Sequence, residues 1–467
     1  MARIGTLALA RPTFDVPFAE EIAAAAFAAL EREGHEIVGP RTLLCDAVAA
    51  EAALAALEGE ALDLLLLLQV TFTDASMTVA IGKHAGAPLA LWAFPEPRTG
   101  GRLRLNSFCG LNLAAHALGR AGIAHRWLYA APDAASLDAD LAELVAGTRA
   151  VEPPLPHPPP EPEEADARAA DSVLERLAGT RIGLVGEHPV GFDTCRYDPG
   201  ALRAMAGIGV EPIALPDLFA AARAVAPERI AQTKSEVAAR LSGTEALDQE
   251  QLERSLAVYH ALAGLAREKN LSALAVRCWP EMFTEFGCAS CGPMAFLSQE
   301  RTPCACEADV YGALTSLILQ ELAGAPAFLA DIVDMDAASE TGVLWHCGLA
   351  PASMADPATP PAAQIHSNRK MPLLQEFALA PGRITLARLS QAHNAPALVI
   401  AGAEIVAGPK SFSGTSGLVR FDKPVADVTR ALIDGGLEHH VSLVYGDVRP
   451  ALRALAARLS LPIVELS

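Results

Sequence analysis

The chain has 467 residues, more than a single hydrophobic core normally organises, and this length predicts two or three domains. Hydrophobic residues make up 51% and charged residues 19% of the sequence, which is the balance of a compact globular protein and excludes a disordered chain. The formal net charge of −19 disfavours polyanionic partners, so neither nucleic acid nor an anionic membrane surface is expected as a partner.

The start of the chain lacks the cationic region and long apolar stretch of a secretory signal peptide, so a cytoplasmic location is expected. The most apolar run is ALDLLLLLQV at 61–70. A helix needs about 20 apolar residues to cross a bilayer. This shorter run therefore predicts a buried strand, and no membrane association is expected.

The first 150 residues alternate between short apolar runs and stretches with helical periodicity. Such alternation predicts a parallel sheet with helices on both faces. We therefore expect an N-terminal α/β domain over residues 1–150. In chain order, the predicted elements are a strand at 4–9, a helix at 17–34, strands at 62–69 and 88–94, a helix near 109–121, a strand at 126–130 and a helix near 136–147.

A proline-rich segment follows and then a second series of the same kind. Residues 151–170 contain seven prolines and several acids, a composition that predicts a stiff linker. The second series opens at TRIGLVGEHPVGFDT (180–194) and continues with strands predicted at 210–214 and 271–279 and long helices within 217–269. We expect a second α/β domain over 171–335.

From about residue 336 the pattern changes to short apolar segments divided by Gly, Pro and polar turns. This pattern is typical of an antiparallel β-domain, which we expect over 336–467. The predicted fold is therefore α/β, with two doubly wound, Rossmann-like parallel-sheet domains followed by a β-rich C-terminal domain. No Gly-rich dinucleotide or ATP loop follows a predicted strand.

The segment CASCGPMAFLSQERTPCACE at 288–307 brings four of the nine cysteines close together in sequence. In a reducing compartment they are expected as thiols or metal ligands rather than disulfides. Four thiolates could form a tetrahedral zinc site, although the spacing is not that of a usual zinc knuckle. The alternative is a tight loop with small buried thiols.

Two carboxylates and two histidines are candidates for a site. Glu307 is predicted to open a helix, where the helix dipole favours a carboxylate, and Asp331 is predicted to end a strand, where open α/β folds bind ligands. His346 and His440 lie beside apolar strands. Each has an ordinary alternative, as a first-turn acid, a turn residue or a core histidine. Together they form a set that a divalent ion such as Mn²⁺ accepts.

Four short motifs resemble those of the L-fucose isomerase and L-arabinose isomerase superfamily. The order of the predicted domains also resembles the two α/β domains and β-rich C-terminal domain of that superfamily. These motifs are CEADVYG (306–312), PAFLADIVD (326–334), LWHCG (344–348) and HHVSLVYGDV (439–448).

The resemblance implies a metal-dependent isomerase that interconverts an aldose and a ketose through an ene-diol. It assigns Glu307, Asp331 and His440 as metal ligands, with Mn²⁺ as the expected ion, and the two carboxylates also as catalytic acid and base. His346 matches a further metal-binding histidine of the arabinose enzymes that the fucose enzymes lack. It also implies a homo-oligomer whose subunits share active sites.

Candidate substrate-binding residues follow predicted strands in both α/β domains. Arg277 and Trp279 follow the strand at 271–279, while Gln69 and Arg98 belong to the N-terminal domain. Arg98 has Arg102 and Arg104 close by in sequence, and this cluster favours an acidic, sulfonated or carboxylated sugar. Two alternatives stay open, a non-catalytic sugar-binding protein with paired lobes and a related epimerase or lyase.

Overall fold

The computed structural model describes residues 1–467 and contains three β-sheets, two of them parallel and one mixed. The protein is thus a mixed α/β protein with a β-rich C-terminal part. No helix combines the length and the apolar character that crossing a bilayer requires.

The first sheet is formed entirely by parallel strands in the order β2-β1-β4-β5-β6, with β3 beside β1. All six residues of the central strand β4 are buried, as the continuous leucine run predicts for a strand covered on both faces. The strands are β1 (Arg3–Leu9), β2 (Glu36–Val38), β3 (Leu43–Leu44), β4 (Leu64–Gln69), β5 (Leu89–Ala93) and β6 (His125–Tyr129); the helices are α1 (Val16–Arg32), α2 (Ala47–Ala55), α3 (Ser76–His84), α4 (Ser107–Arg120) and α5 (Leu137–Ala146).

The second sheet has four parallel strands in the order β10-β9-β7-β8. The helix α6 already begins at Glu164, so the last part of the predicted linker is helical. The strands are β7 (Arg181–Val185), β8 (Gly209–Ile213), β9 (Ala273–Val276) and β10 (Cys304–Ala305); the helices are α6 (Glu164–Leu177), α7 (Pro199–Ala206), α8 (Leu215–Arg223), α9 (Pro227–Ala238), α10 (Gln249–Glu268), α11 (Cys291–Gln299) and α12 (Val310–Ala323).

The third sheet has nine strands in the order β13-β14-β17-β12-β11-β18-β15-β16-β19. An additional pairing between β16 and β17 closes six antiparallel strands, β17-β12-β11-β18-β15-β16, into a barrel. The strands are β11 (Phe328–Asp336), β12 (Thr341–His346), β13 (Ala362–Ile365), β14 (Pro372–Ala378), β15 (Gly382–Ser390), β16 (Ala397–Val406), β17 (Thr415–Phe421), β18 (His440–Tyr445) and β19 (Ile463–Glu465); the helices are α13 (Val425–Asp434) and α14 (Arg449–Arg458).

The three sheets share one hydrophobic interior, because a single cluster of 104 buried apolar residues includes members from all of them. The strand that carries Asp331 belongs to the third sheet. The boundary expected at residue 335 therefore falls inside a barrel strand. The helix α12 packs against both β18 of the barrel and β9 of the second sheet, and this junction positions the candidate site.

Candidate active site

Glu307 lies before helix α12 and not inside its first turn, which corrects the expectation that it opens the helix. Its backbone is left-handed, with φ 57° and ψ 24°. The cap of α12 is Asp309, whose side chain accepts the backbone N–H of Gly312 at 2.8 Å. Because Asp309 ends the loop and starts the helix, Glu307 is free to project away from the helix axis.

Asp331 lies in the middle of β11 and not at its end, which corrects the second expectation. It is paired across the sheet with Trp345 on β12 and with His440 on β18. The side chain is buried, and its Oδ1 atom has no hydrogen-bond partner. A buried carboxylate oxygen without a donor is costly, and this one faces His440 at 3.4 Å.

His440 is held in one orientation by a buried acid. Its Nδ1 atom lies 2.9 Å from Oδ2 of Asp309, which also forms a fully buried ion pair with Arg388. Although burial raises the pKa of Asp309, Arg388 and His440 hold it well below its usual value. Since Asp309 is then ionised, His440 donates from Nδ1, and in the neutral ring Nε2 is the nitrogen with the free lone pair.

That lone pair is directed towards both candidate carboxylates. The Nε2 atom of His440 lies 3.4 Å from Oδ1 of Asp331 and 3.7 Å from Oε2 of Glu307. Glu307 also accepts from Trp279 Nε1 at 3.1 Å and from His439 Nε2 at 3.2 Å. Burial raises the pKa of Glu307, but His439, His440 and Trp279 together lower it below its usual value.

The ring nitrogens of His346, which lies beside His440, have different hydrogen-bonding roles. Its Nδ1 atom accepts the backbone N–H of Cys347 at 2.8 Å, so the neutral ring carries its proton on Nε2 and acts there as a donor. The ring is stacked with that of His440 at a centroid distance of 6.0 Å. His346 is thus at the site, as predicted, with a protonation pattern opposite to that of His440.

The structure brings the four predicted metal ligands into overlapping clusters that could hold a metal ion. Donor atoms lie within 4.8 Å of one another in the group Asp331, His346 and His440 and in the group Glu307, His439 and His440. Carboxylate oxygen and imidazole nitrogen are ligands that Mn²⁺ and similar divalent ions accept. The Oδ1 atom of Asp331 lacks a hydrogen-bond donor. It fits such an ion, because a cation would stabilise its negative charge.

The clustered cysteines do not form a zinc site of their own. No group of metal-binding side chains within 4.8 Å contains more than one cysteine, and all nine cysteines are free thiols. Cys291 and Cys306 instead line the cavity beside Glu307. Burial raises the pKa of the Cys288 thiol to about 12 and that of the Cys304 thiol well above its ordinary value, so these thiols are inert.

A cavity opens in front of the carboxylates and receives side chains from all three parts of the chain. Glu307, Asp331 and His346 lie on its wall with Trp279. Two arginines, Arg11 after β1 and Arg369 before β14, also line it. A cavity lined by two carboxylates and two guanidinium groups suits a polar, negatively charged small molecule.

Three predicted substrate-binding residues lie elsewhere. Arg277 pairs with Glu281 at 2.7 Å, and Gln69 is buried and donates to Thr71 O at 2.7 Å. Arg98 pairs with Asp334 at 2.6 Å. None of the three lines the cavity. Their guanidinium and amide groups are used to hold loops and strands together, which a sequence pattern does not distinguish from ligand binding.

Several residues of the site were missed by the sequence reasoning. They are Asp309, Arg388, His439, Arg11 and Arg369. Two of them had a local signal, since Asp309 stands in the motif CEADVYG and His439 in HHVSLVYGDV. The three arginines have none, because their role depends on distant segments meeting.

The chain is similar in sequence to proteins of one family. A family model described as "Fucose/sulfoquinovose isomerase, N-terminal domain" matches residues 5–153. A sulfoquinovose isomerase of Alkalicoccus urumqiensis is 32% identical over 405 residues, which is 86% of this chain and 86% of that protein. One from Clostridium sp. (strain MSTE9) is 30% identical over 85% of each chain, and one from Priestia aryabhattai is 27% identical over 97% of this chain and 96% of that protein.

A solved structure was also compared with the fold. The substrate-binding protein of a sugar ABC transport system from Bordetella parapertussis covers 70% of this chain and 81% of its own, with a TM-score of 0.18 and 11% identity. A score this low carries no argument about fold or function.

Proposed function

Because this chain belongs to the fucose isomerase-like family and is an aldose–ketose isomerase, we propose that it uses a divalent metal ion to isomerise a sulfonated aldose. The relatives' names favour catalysis over the alternative of a non-catalytic sugar-binding protein. The observation that supports a metal ion is that the Nε2 atom of His440 lies close to the carboxylates of both Glu307 and Asp331.

The reaction requires two proton movements. Isomerisation of an aldose moves one proton from C2 to C1 and another from O2 to O1, through an ene-diol. Glu307 and Asp331 are the carboxylates proposed to take the proton from one carbon and return it to the other. Their position on one cavity wall supports this role.

The metal ligands we propose are Glu307, Asp331 and His440. The Asp309 carboxylate supports His440 as a ligand, since it leaves the Nε2 lone pair free. A divalent ion bound there supplies a Lewis acid that lowers the free energy of the charge developing on the sugar oxygens. Mn²⁺ is the ion we propose, because two carboxylates and one imidazole are hard to borderline ligands.

His346 takes a different role in this proposal. Its Nε2–H is a donor, so it is suited to a sugar oxygen rather than to the ion. We therefore revise the expected set of four ligands to three, with His346 as a hydrogen-bond donor to the substrate.

The substrate we propose is sulfoquinovose, the sulfonated form of the aldose quinovose. The names of the relatives support it, and so do the two arginines in the cavity.

We further propose a cytoplasmic homo-oligomer. Arg11 and Asn106 of the N-terminal part already line the cavity of their own chain, so subunit sharing stays a prediction that the oligomeric state would test.

The test is metal content together with turnover. Protein purified without chelator should contain a divalent ion by elemental mass spectrometry and should convert sulfoquinovose to its ketose. The double variant Glu307→Gln/Asp331→Asn should be folded by circular dichroism but lose both the ion and turnover. An ion that the double variant retains would contradict the proposed centre.

A further inference from the structure

Arg369 lines the cavity as a cation without an acidic partner. Its guanidinium lies 5.0 Å from the ring centroid of Trp279 and 5.2 Å from that of Phe283, and it forms no ion pair with a carboxylate. The loop that carries it is anchored, because Nδ1 of His366 lies 3.2 Å from the backbone nitrogens of Asn368 and Arg369. Stacking on a ring leaves the N–H groups of a guanidinium free to donate in its plane.

Arg11, in the N-terminal part of the chain, lies over the same indole ring of Trp279. Its guanidinium lies 4.9 Å from the ring centroid of Trp279 and 3.2 Å from Oδ2 of Asp74. Burial lowers the pKa of Arg11, and the charge of Arg369 lowers it further, while the charges of Asp74 and Glu307 oppose this shift. Two cations over one ring repel each other, and Arg369 has no carboxylate paired with it, so the pair favours a bound anion.

Trp279 contacts both arginines and also Glu307. Its ring lies under both guanidinium groups, and its Nε1–H donates to Oε1 of Glu307 at 3.1 Å. The indole therefore contacts the two arginines through its ring and a carboxylate through its Nε1–H. A sugar with its carbonyl end at Glu307 would extend past this ring towards the two cations.

We propose that Arg11 and Arg369 bind the sulfonate of the substrate and make the enzyme select a sulfonated aldose over its neutral counterpart. This inference rests on the proposed function. A sulfonate carries a permanent single negative charge and three acceptor oxygens, which two guanidinium groups can bind with several hydrogen bonds. Because the group is remote from C1 and C2, its binding sets specificity and orients the sugar.

The variants Arg11→Gln and Arg369→Gln test the proposal with sulfoquinovose and quinovose as matched probes. Each variant should raise KM for sulfoquinovose on the order of 10- to 100-fold, as expected for a lost charge-assisted hydrogen bond. Circular dichroism shows whether each variant is folded, and the ratio of kcat/KM for sulfoquinovose to that for quinovose should fall by a similar factor. Methanesulfonate should inhibit the wild type competitively and lose this effect in both variants.

Arg223→Gln is the matched control. Arg223 also lies over an aromatic ring, 5.3 Å from the centroid of Phe286, but it does not line the cavity. This variant should leave the preference for sulfoquinovose unchanged. Equal kcat/KM for the two sugars in the wild type, or an unaltered preference in both cavity variants, would overturn the proposal.

If the proposed isomerase function is wrong, the experiments give a different result from that expected if only the anion site is wrong. A wild type that isomerises neither sugar with Mn²⁺ would remove the function and leave the anion site to be tested by binding. Calorimetry with sulfoquinovose then decides, since the wild type should bind it and the Arg11→Gln/Arg369→Gln double variant should not. Equal binding by both proteins would overturn the anion site as well.

Discussion

At the scale of single residues, hydrogen bonds to the backbone and to buried acids decide which ring nitrogen of each neutral histidine carries the proton. His440 donates from Nδ1 to Asp309, whereas His346 accepts at Nδ1 from Cys347. Both rings are buried, so neither can exchange this partner for water. The same residue type can therefore serve as a ligand in one position and as a donor in the other.

The two histidines should respond differently to substitution. We expect His440→Ala to lose the bound ion and all turnover, because a ligand is removed. We expect His346→Gln to retain the ion and to lower kcat by about 100-fold, the range of a lost general acid or positioned donor. Elemental mass spectrometry and steady-state kinetics on both variants check this, and loss of the ion in His346→Gln would make His346 a ligand.

At the scale of an element, the first turn of α12 determines the position of Asp309, which orients His440. Gly312 donates its N–H to Asp309, and a Cβ at Gly312 would lie 2.5 Å from Oδ2 of Asp309. The position is helical, so alanine would ordinarily be favoured there. The close approach of the carboxylate that orients His440 explains why glycine suits this turn.

The variant Gly312→Ala should weaken metal binding about 10-fold, because displacement of Asp309 releases His440, and partners of metal ligands have effects of this size. A metal titration monitored by calorimetry measures the change. Gly264→Ala is the control, since a Cβ at Gly264 in α10 would meet nothing within 4 Å. It should leave metal affinity unchanged and raise the free energy of unfolding by about 0.5–1 kcal/mol.

At the scale of the whole molecule, a buried ion pair joins the N-terminal sheet to the barrel. Arg98 follows β5 and pairs with Asp334 on β11 at 2.6 Å, where the carboxylate is only 4% exposed. Tyr129 at the end of β6 also donates to Asp334. Asp334 and Asp331 share one strand, so this contact fixes the site relative to the N-terminal part of the cavity.

Replacing Arg98 by Met should lower the free energy of unfolding by about 3 kcal/mol, because it leaves Asp334 buried without its cation. Urea unfolding measures this loss. Arg458→Met is the control, because the Arg458–Asp171 pair is exposed, with side chains 38% and 50% accessible. It should leave the urea midpoint of unfolding nearly unchanged, because exposed ion pairs contribute little to stability. A rise in KM for Arg98→Met without a loss of stability would instead support Arg98 as a substrate-binding residue.

The sequence by itself determined the elements, because local periodicity and turn residues dictate strands and helices. The strands β1, β4, β5 and β6 all lie where the pattern predicted them. Glu307, Asp331, His346 and His440 were identified from motifs in short contiguous segments, and the structure brings them together.

Only the tertiary structure decided the partners of these residues. The pairing of β16 with β17 closes the barrel, and its register sets Asp331 opposite His440. The Asp309–Arg388 pair and the meeting of Arg11 with Arg369 over Trp279 join segments far apart in the chain. Local pattern fixes the period of an element but not the register and packing that bring distant side chains together, so the sequence showed which groups were available and the fold decided which of them act.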